Sequence, residues 1–206
     1  SGGLHAEEIA PVIIPQKKGE ATTVSRDEFV KPNTTLEGLS ALKPAFRTGG
    51  SVTAGNASGL NDGAAAMLIA SQNALTRYNL KPLAKVVCAA VSGVAPSIMG
   101  IGPVEASRKA LHRAGLLMAD IGVIEINEAF AAQVLSCTRE LGISDDDKRL
   151  NSHGGAIALG HPLGMSGARI IQTAALELRR SNQRYALCTM CIGVGQGYAV
   201  ILENCN

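Results

Sequence analysis

The stretch that decides the fold is Asn151-Ser152-His153-Gly154-Gly155-Ala156-Ile157-Ala158-Leu159-Gly160-His161-Pro162-Leu163-Gly164-Met165-Ser166-Gly167. Five glycines in this span free the backbone to take positive φ and to pass close to a ligand, while Pro162 fixes the residue after His161. The apolar run at 168–178 reads as a buried helix, which places His161 in a rigid loop at or near a helix entrance. Taken alone, the loop also reads as close packing around a satisfied polar residue.

Working outward, the chain alternates strand and helix patterns. A strand is expected at 84–91, a helix at 103–112 with Pro103 in its first turn, a strand at 123–126 and a helix at 128–141. Two strands, 184–191 and 198–203, follow the Gly-His-Pro loop and its helix. The expected class is therefore α/β, with layered helices on a mixed β-sheet. Upstream, the short apolar run 9–14 and the polar turn at 17–20 suit a small β-rich surface excursion. Thr34 and Glu37 have capping-box spacing for a short helix that stops before Pro44. The small-residue loop 51–63 leads into the apolar run 64–70, a buried-strand candidate, and Ser71 caps a helix to about Asn79. The run Asp145-Asp146-Asp147-Lys148 reads as a solvated loop.

Composition narrows the class further. A 206-residue chain with 46% hydrophobic and only 17% charged residues points to extensive internal or interfacial burial. Aromatics at 3% disfavour stacking platforms for nucleic acid, and a net charge of +2 implies no polyanion partner. No apolar run is long enough to span a bilayer as a helix. Five cysteines make an odd count without a charged-then-apolar leader before them, so a reduced cytoplasmic protein without a disulfide framework is expected.

Several motifs compete and fall away. Cys188 and Cys191 have the spacing of a metal or redox pair, but in an apolar strand residues three apart point to opposite faces, so no zinc is expected. Gly193, Gly195 and Gly197 mimic a dinucleotide fingerprint, yet a strand follows them rather than a helix. Cys88, Cys137 and Cys205 read as packing residues.

Two further blocks, Asn127-Glu128-Ala129-Phe130 and Cys191-Ile192-Gly193-Val194-Gly195-Gln196-Gly197, occur with the Gly-His-Pro loop in an order and spacing that resembles the thiolase family. Thiolases are acyl-CoA acyltransferases that join or cleave 3-oxoacyl-CoA thioesters. The resemblance implies half of an αβαβα sandwich: residues 1–53 end a CoA-covering loop domain, 54–81 return to an N-terminal half, and 82–206 form the C-terminal domain. It implies that the nucleophilic Cys lies in an N-terminal half absent from this chain, so the chain by itself is expected to be inactive.

The resemblance also assigns roles. His161 activates the absent Cys and faces the substrate thioester oxygen, Asn127 holds a water that completes that oxyanion site, Cys191 is the acid/base for the α-carbon, and the Gly193 amide binds the acyl-enzyme oxyanion. Ser58 contacts pantetheine. Met99 and Phe130 line its tunnel, with core packing as their alternative. Acyl-CoA and CoA are the implied substrates, with no permanently bound cofactor, and related enzymes are homodimers or homotetramers. The His-Pro-Leu-Gly-Met-Ser-Gly and Cys-Ile-Gly-Val-Gly-Gln-Gly blocks, with Val194 where many acetoacetyl-CoA thiolases have Gly, look more like the 3-oxoadipyl-CoA thiolases. Two other readings stay open: another condensing enzyme of the fold, such as a ketoacyl synthase, and an inert fragment that binds CoA or a partner.

Overall fold

The computed structural model describes residues 3–205. A single 3-10 turn, Leu4–Glu7, precedes strands β1 (Val12–Ile14) and β2 (Thr22–Val24), which pair antiparallel and stay fully exposed, as the β-rich excursion required. Helix α1 (Leu36–Ser40) is capped by Thr35, whose Oγ1 accepts the Gly38 N–H at 3.1 Å. The expected box between Thr34 and Glu37 does not form, because the Thr34 hydroxyl is turned back onto the Lys31 carbonyl at 2.8 Å. Helix α2 (Gln72–Tyr78) follows the sequence rules at both ends: Ser71 accepts the Ala74 N–H, and Asn79 closes the helix in the left-handed region.

Residues 64–70 correct the expected buried strand. They pair with no strand among the described residues, and Leu68 and Ile69 are 78% and 73% exposed. An apolar run favours burial, but it becomes a strand only where a neighbouring strand offers it hydrogen bonds. Here Leu60, just upstream, bridges to His161, and the run then crosses open solvent.

The sheet comes from the second half of the chain. Strand β3 (Ala84–Gly93) leads through the 3-10 segment Pro96–Ile101 into helix α3 (Gly102–Ala114), then β4 (Ile121–Ile126) and helix α4 (Ala131–Leu141). A short helix α5 (Ala156–Leu159) and the long α6 (Ser166–Arg180) precede β5 (Tyr185–Ile192) and β6 (Gln196–Asn204). The strand order is β3-β6-β5-β4, antiparallel except for the parallel pair β4 and β5, so the mixed sheet is as expected. Helix α4 starts three residues later than the apolar pattern suggests, because Phe130 is still extended and bridges to Ala57.

Period-two alternation sends side chains to two cores. Ile124 and Ile126 of β4, Leu187 of β5 and Ile201 of β6 pack under α3 and α4. Val123, Ala186, Cys188, Val200 and Leu202 pack against Ile170, Ala174 and Leu178 of α6. The result is a helix, sheet, helix sandwich with α6 alone on the face that matters for the site.

The acidic loop is also more than a solvated turn. Asp147 holds Arg149 at 2.6 Å, and the Arg149 guanidinium donates to the carbonyls of Met118 and Ile121. The backbone of 149–151 then runs along the outer edge of β4, through Ile124 N–H to the Arg149 carbonyl and Asn151 N–H to the Ile124 carbonyl, both at 2.8 Å. An acidic triplet read alone carries no sign of its partner.

Candidate active site

His161 sits one turn ahead of α6, where the sequence places it. The chain reaches it through Gly160, which has φ 101° and where a Cβ would come within 2.6 Å of Asn61 Oδ1, so this glycine is required twice over. Asn61 Oδ1 accepts the His161 N–H at 3.1 Å, which seats the loop on residues 60–62. An open cleft of about 360 Å³ lies there, lined by Leu60, Asn61, Asp62, His161 and Leu163.

Two side chains meet the imidazole. Ser166 Oγ lies 2.6 Å from His161 Nδ1 and 3.0 Å from the Pro162 carbonyl, and Asn127 Nδ2 lies 3.3 Å from Nε2. Burial lowers the His161 pKa, and the nearby Arg169 charge lowers it further, so the ring is neutral at pH 7. A buried neutral imidazole held at both ring nitrogens is suited to receive a proton.

Asn127 is itself held at the end of β4, its N–H bonded to the Thr189 carbonyl of β5 at 3.0 Å. Its Oδ1 is buried with no partner among the described residues, which leaves one acceptor facing the site. Glu128 ties this block to the glycine-rich loop: one carboxylate oxygen takes the Asn151 amide at 2.9 Å and the other takes the Ile157 N–H at 3.1 Å, at the start of α5. Asn151 completes the stitch by bonding both the N–H and the carbonyl of Ile126. Sequence reasoning missed Asn61, Glu128, Asn151 and Ser166. Only Ser166, five residues after the histidine, left a local signal.

Cys191 lies on β5 two residues beyond Thr189, buried, with its pKa raised by desolvation. Cys188 points the other way and its Sγ reaches the Ile170 carbonyl of α6, so the two thiols do occupy opposite faces. Among the described residues no group of three or more His, Cys, Asp or Glu could hold a metal ion. Gly193 opens the three-residue turn between β5 and β6, where a Cβ would meet nothing. In the same turn Val194 is 82% exposed at φ 67°, a conformation costly for a β-branched residue. The turn is anchored from behind by the Val94 N–H on the Gly195 carbonyl at 2.7 Å.

Hydrogen bonds join Asn127 directly to His161, and they join Ser58 to the same block through its N–H on the Ala129 carbonyl at 3.0 Å. Phe130 is half-buried with its ring edge-on to Phe46. Met99 is half-buried in the segment Pro96–Ile101, which α4 grips through Cys137 Sγ on the Gly100 carbonyl. Cys205 is exposed just past the end of β6, which corrects its reading as a packing residue: no element among the described residues covers it. Cys137 is buried and Cys88 half-buried, each donating to a backbone carbonyl.

A family model described as the thiolase C-terminal domain matches residues 80–204, and the thiolase N-terminal domain model matches 1–73. The chain belongs to the thiolase family. An Escherichia coli (strain K12) thiolase, the 3-oxoadipyl-CoA/3-oxo-5,6-dehydrosuberyl-CoA thiolase, is 59% identical over 203 residues, covering 98% of this chain and 51% of its own length. The solved Bacillus anthracis acetyl-CoA acetyltransferase superposes with TM-score 0.93 at 42% identity, covering 98% of this chain and 50% of that one. Human mitochondrial 3-ketoacyl-CoA thiolase in complex with CoA superposes with TM-score 0.87 at 44% identity, covering 98% and 49%. The chain thus spans about half the length of the thiolases it matches. No helix among the described residues is long and apolar enough to cross a membrane.

Proposed function

We propose that this chain supplies the acid–base half of a thiolase that makes or cleaves 3-oxoacyl-CoA with CoA through a Cys acyl-enzyme. The observation that carries the reading is the seating of His161, a buried ring of lowered pKa with Ser166 at Nδ1 and Asn127 at Nε2; on this reading the ring hydrogen sits on Nδ1 and Nε2 is the base. Such a ring takes the proton of an incoming thiol at Nε2, and the same nitrogen then becomes a donor for a thioester oxygen. The unpartnered Asn127 Oδ1 suits a water that completes this second role.

The acyl-carrying thiolate belongs to a part of the thiolases that this chain does not span. In support, burial pushes the thiols of Cys88, Cys137, Cys188 and Cys191 up, away from the thiolate form. In the cleaving direction that thiolate adds to the 3-oxo carbon, the bond to the α-carbon breaks, and its electron pair leaves as an acetyl-CoA enolate. Cys191, held as a protonated thiol, gives that carbon its proton. CoA then attacks the acyl-enzyme, the Cys thiolate departs, and the Gly193 amide at the head of the exposed turn stabilises the oxyanion.

The organisation we propose keeps residues 1–53 as the end of the CoA-covering domain, 54–81 as a return segment and 82–206 as the catalytic C-terminal domain. The gap between the two family-model matches, 73 to 80, supports a boundary near Lys81-Pro82. Ser58, Phe130 and Met99 are the proposed pantetheine contacts. The assembly is a cytoplasmic homodimer or homotetramer, and the substrate is 3-oxoadipyl-CoA, supported by Val194 in the turn and by the name of the 59% identical relative.

Thiolysis by the full-length enzyme tests this. His161→Ala or Cys191→Ala is expected to lower kcat by about 10²-fold or more, with 3-oxoadipyl-CoA cleaved faster than acetoacetyl-CoA in the parent, and the 206-residue chain alone is expected not to turn over. A His161→Ala enzyme within tenfold of the parent overturns the reading.

A further inference from the structure

One buried side-chain pair lies behind this site. Glu125, 1% exposed on β4, accepts from Arg169 Nη1 of α6 at 3.2 Å. Its position is telling. Glu125 stands two residues before Asn127, and Arg169 three residues after Ser166. Asn127 and Ser166 are the residues that hold Nε2 and Nδ1 of His161. The apolar part of the packing between β4 and α6 sets Val123 against the face carrying Ile170 and Ala174. Apolar packing is non-directional and leaves helix and strand free to slide by a fraction of a turn, whereas a carboxyl–guanidinium hydrogen bond is directional.

We infer that the Glu125–Arg169 pair is a positioning device for His161, locking β4 to α6 at the level where each element hands one residue to an imidazole nitrogen. Stability alone gives little reason for the pair, since a buried ion pair is often replaced by apolar side chains of similar volume without loss. Its surroundings make it a demanding choice. Burial raises Glu125 to about 8 against the opposing Arg169 charge, and the carboxylates of Glu8 and Glu128 push in the same upward direction. Keeping a carboxyl group there serves geometry.

The catalytic meaning of this inference rests on the proposed role of His161, but the imidazole can be read without turnover. The chain has four histidines, so ¹⁵N-histidine labelling with His161→Gln as the assignment control isolates the ring of interest. The parent is expected to show a single His161 tautomer with hydrogen on Nδ1. In the double variant Glu125→Leu/Arg169→Met, recorded at about pH 8.5, above the range in which an imidazole titrates, so that losing the Arg169 charge leaves the ring neutral, the fold and melting temperature are expected to hold while the His161 nitrogens shift toward averaged, mixed-tautomer values. Glu125→Asp, which keeps the carboxyl group and withdraws it by about one 1.5 Å bond, should move them the same way by a smaller amount. A parent-like His161 spectrum in either folded variant overturns the inference, and leaves the acyl-transfer reading untouched.

Discussion

At the scale of single residues, the site is a matter of where protons are allowed to sit. His161 is kept neutral by burial first and by Arg169 second, so its folded pKa lies below that of an exposed imidazole. Below about pH 6.5 the unfolded chain binds a proton that the folded chain refuses, so this residue's contribution to stability is lost as pH falls. Glu125 works with the opposite sign. Held at about 8, it keeps its proton in the folded state while the unfolded chain has released it, so its contribution is present below about pH 4.3 and fades as pH rises through 8. Melting temperature measured from pH 5 to 7.5 is therefore expected to rise less steeply in His161→Gln than in the parent. An unchanged slope would mean that the ring is not held neutral by the fold. None of this was legible in the residues: His161 could be picked out by its glycines and Pro162, but the side chains that meet its two ring nitrogens belong to Asn127 and Ser166, and only contact in space reveals them.

At the scale of elements, legibility followed locality. Helix α2 could be read from its own ends, since Ser71 and Asn79 cap it with groups inside the helix's own span. The strands of the sheet could be read from short apolar runs set between helix patterns, and α6 from its apolar run. The failures share a cause. Thr34 lost its expected role to a competing carbonyl three residues back, and residues 64–70 had the composition of a strand without a partner to pair with. The acidic loop failed in the other direction, because Asp147 serves an arginine whose remaining bonds go to carbonyls some thirty residues upstream. The Arg149 partner holds the Asp147 carboxyl below its ordinary range, so its stabilising effect is present above about pH 3.9 and lost on acidification. Asp147→Asn is expected to cost about 1 kcal/mol, discounted for the partly exposed guanidinium. Urea titration at pH 7 should show it, with the gap to the parent narrowing as pH falls below about 3.9.

At the scale of the whole molecule, the apolar ribbon at 64–70 is a site for association of this chain. Met67, Leu68 and Ile69 are all exposed, next to unpaired backbone that can template association. Leu68→Lys with Ile69→Lys is expected to raise the concentration at which the isolated chain stays monodisperse in light scattering, leaving the melting temperature of the sheet domain unchanged. A drop in that temperature would show the ribbon to be packed rather than free.

The strand order carries one more consequence, and it concerns time. Among the described residues β3 is flanked in the sheet only by β6, so residues 84–93 have no sheet neighbour there until residues 196–204 exist. At roughly 5–20 residues per second, the interval on the ribosome is on the order of 5 to 20 seconds. Through that wait Val86, Val87 and Val91 must be kept from other strands, and a nascent chain stalled before Gln196 would leave the ribosome with β3 as an open template.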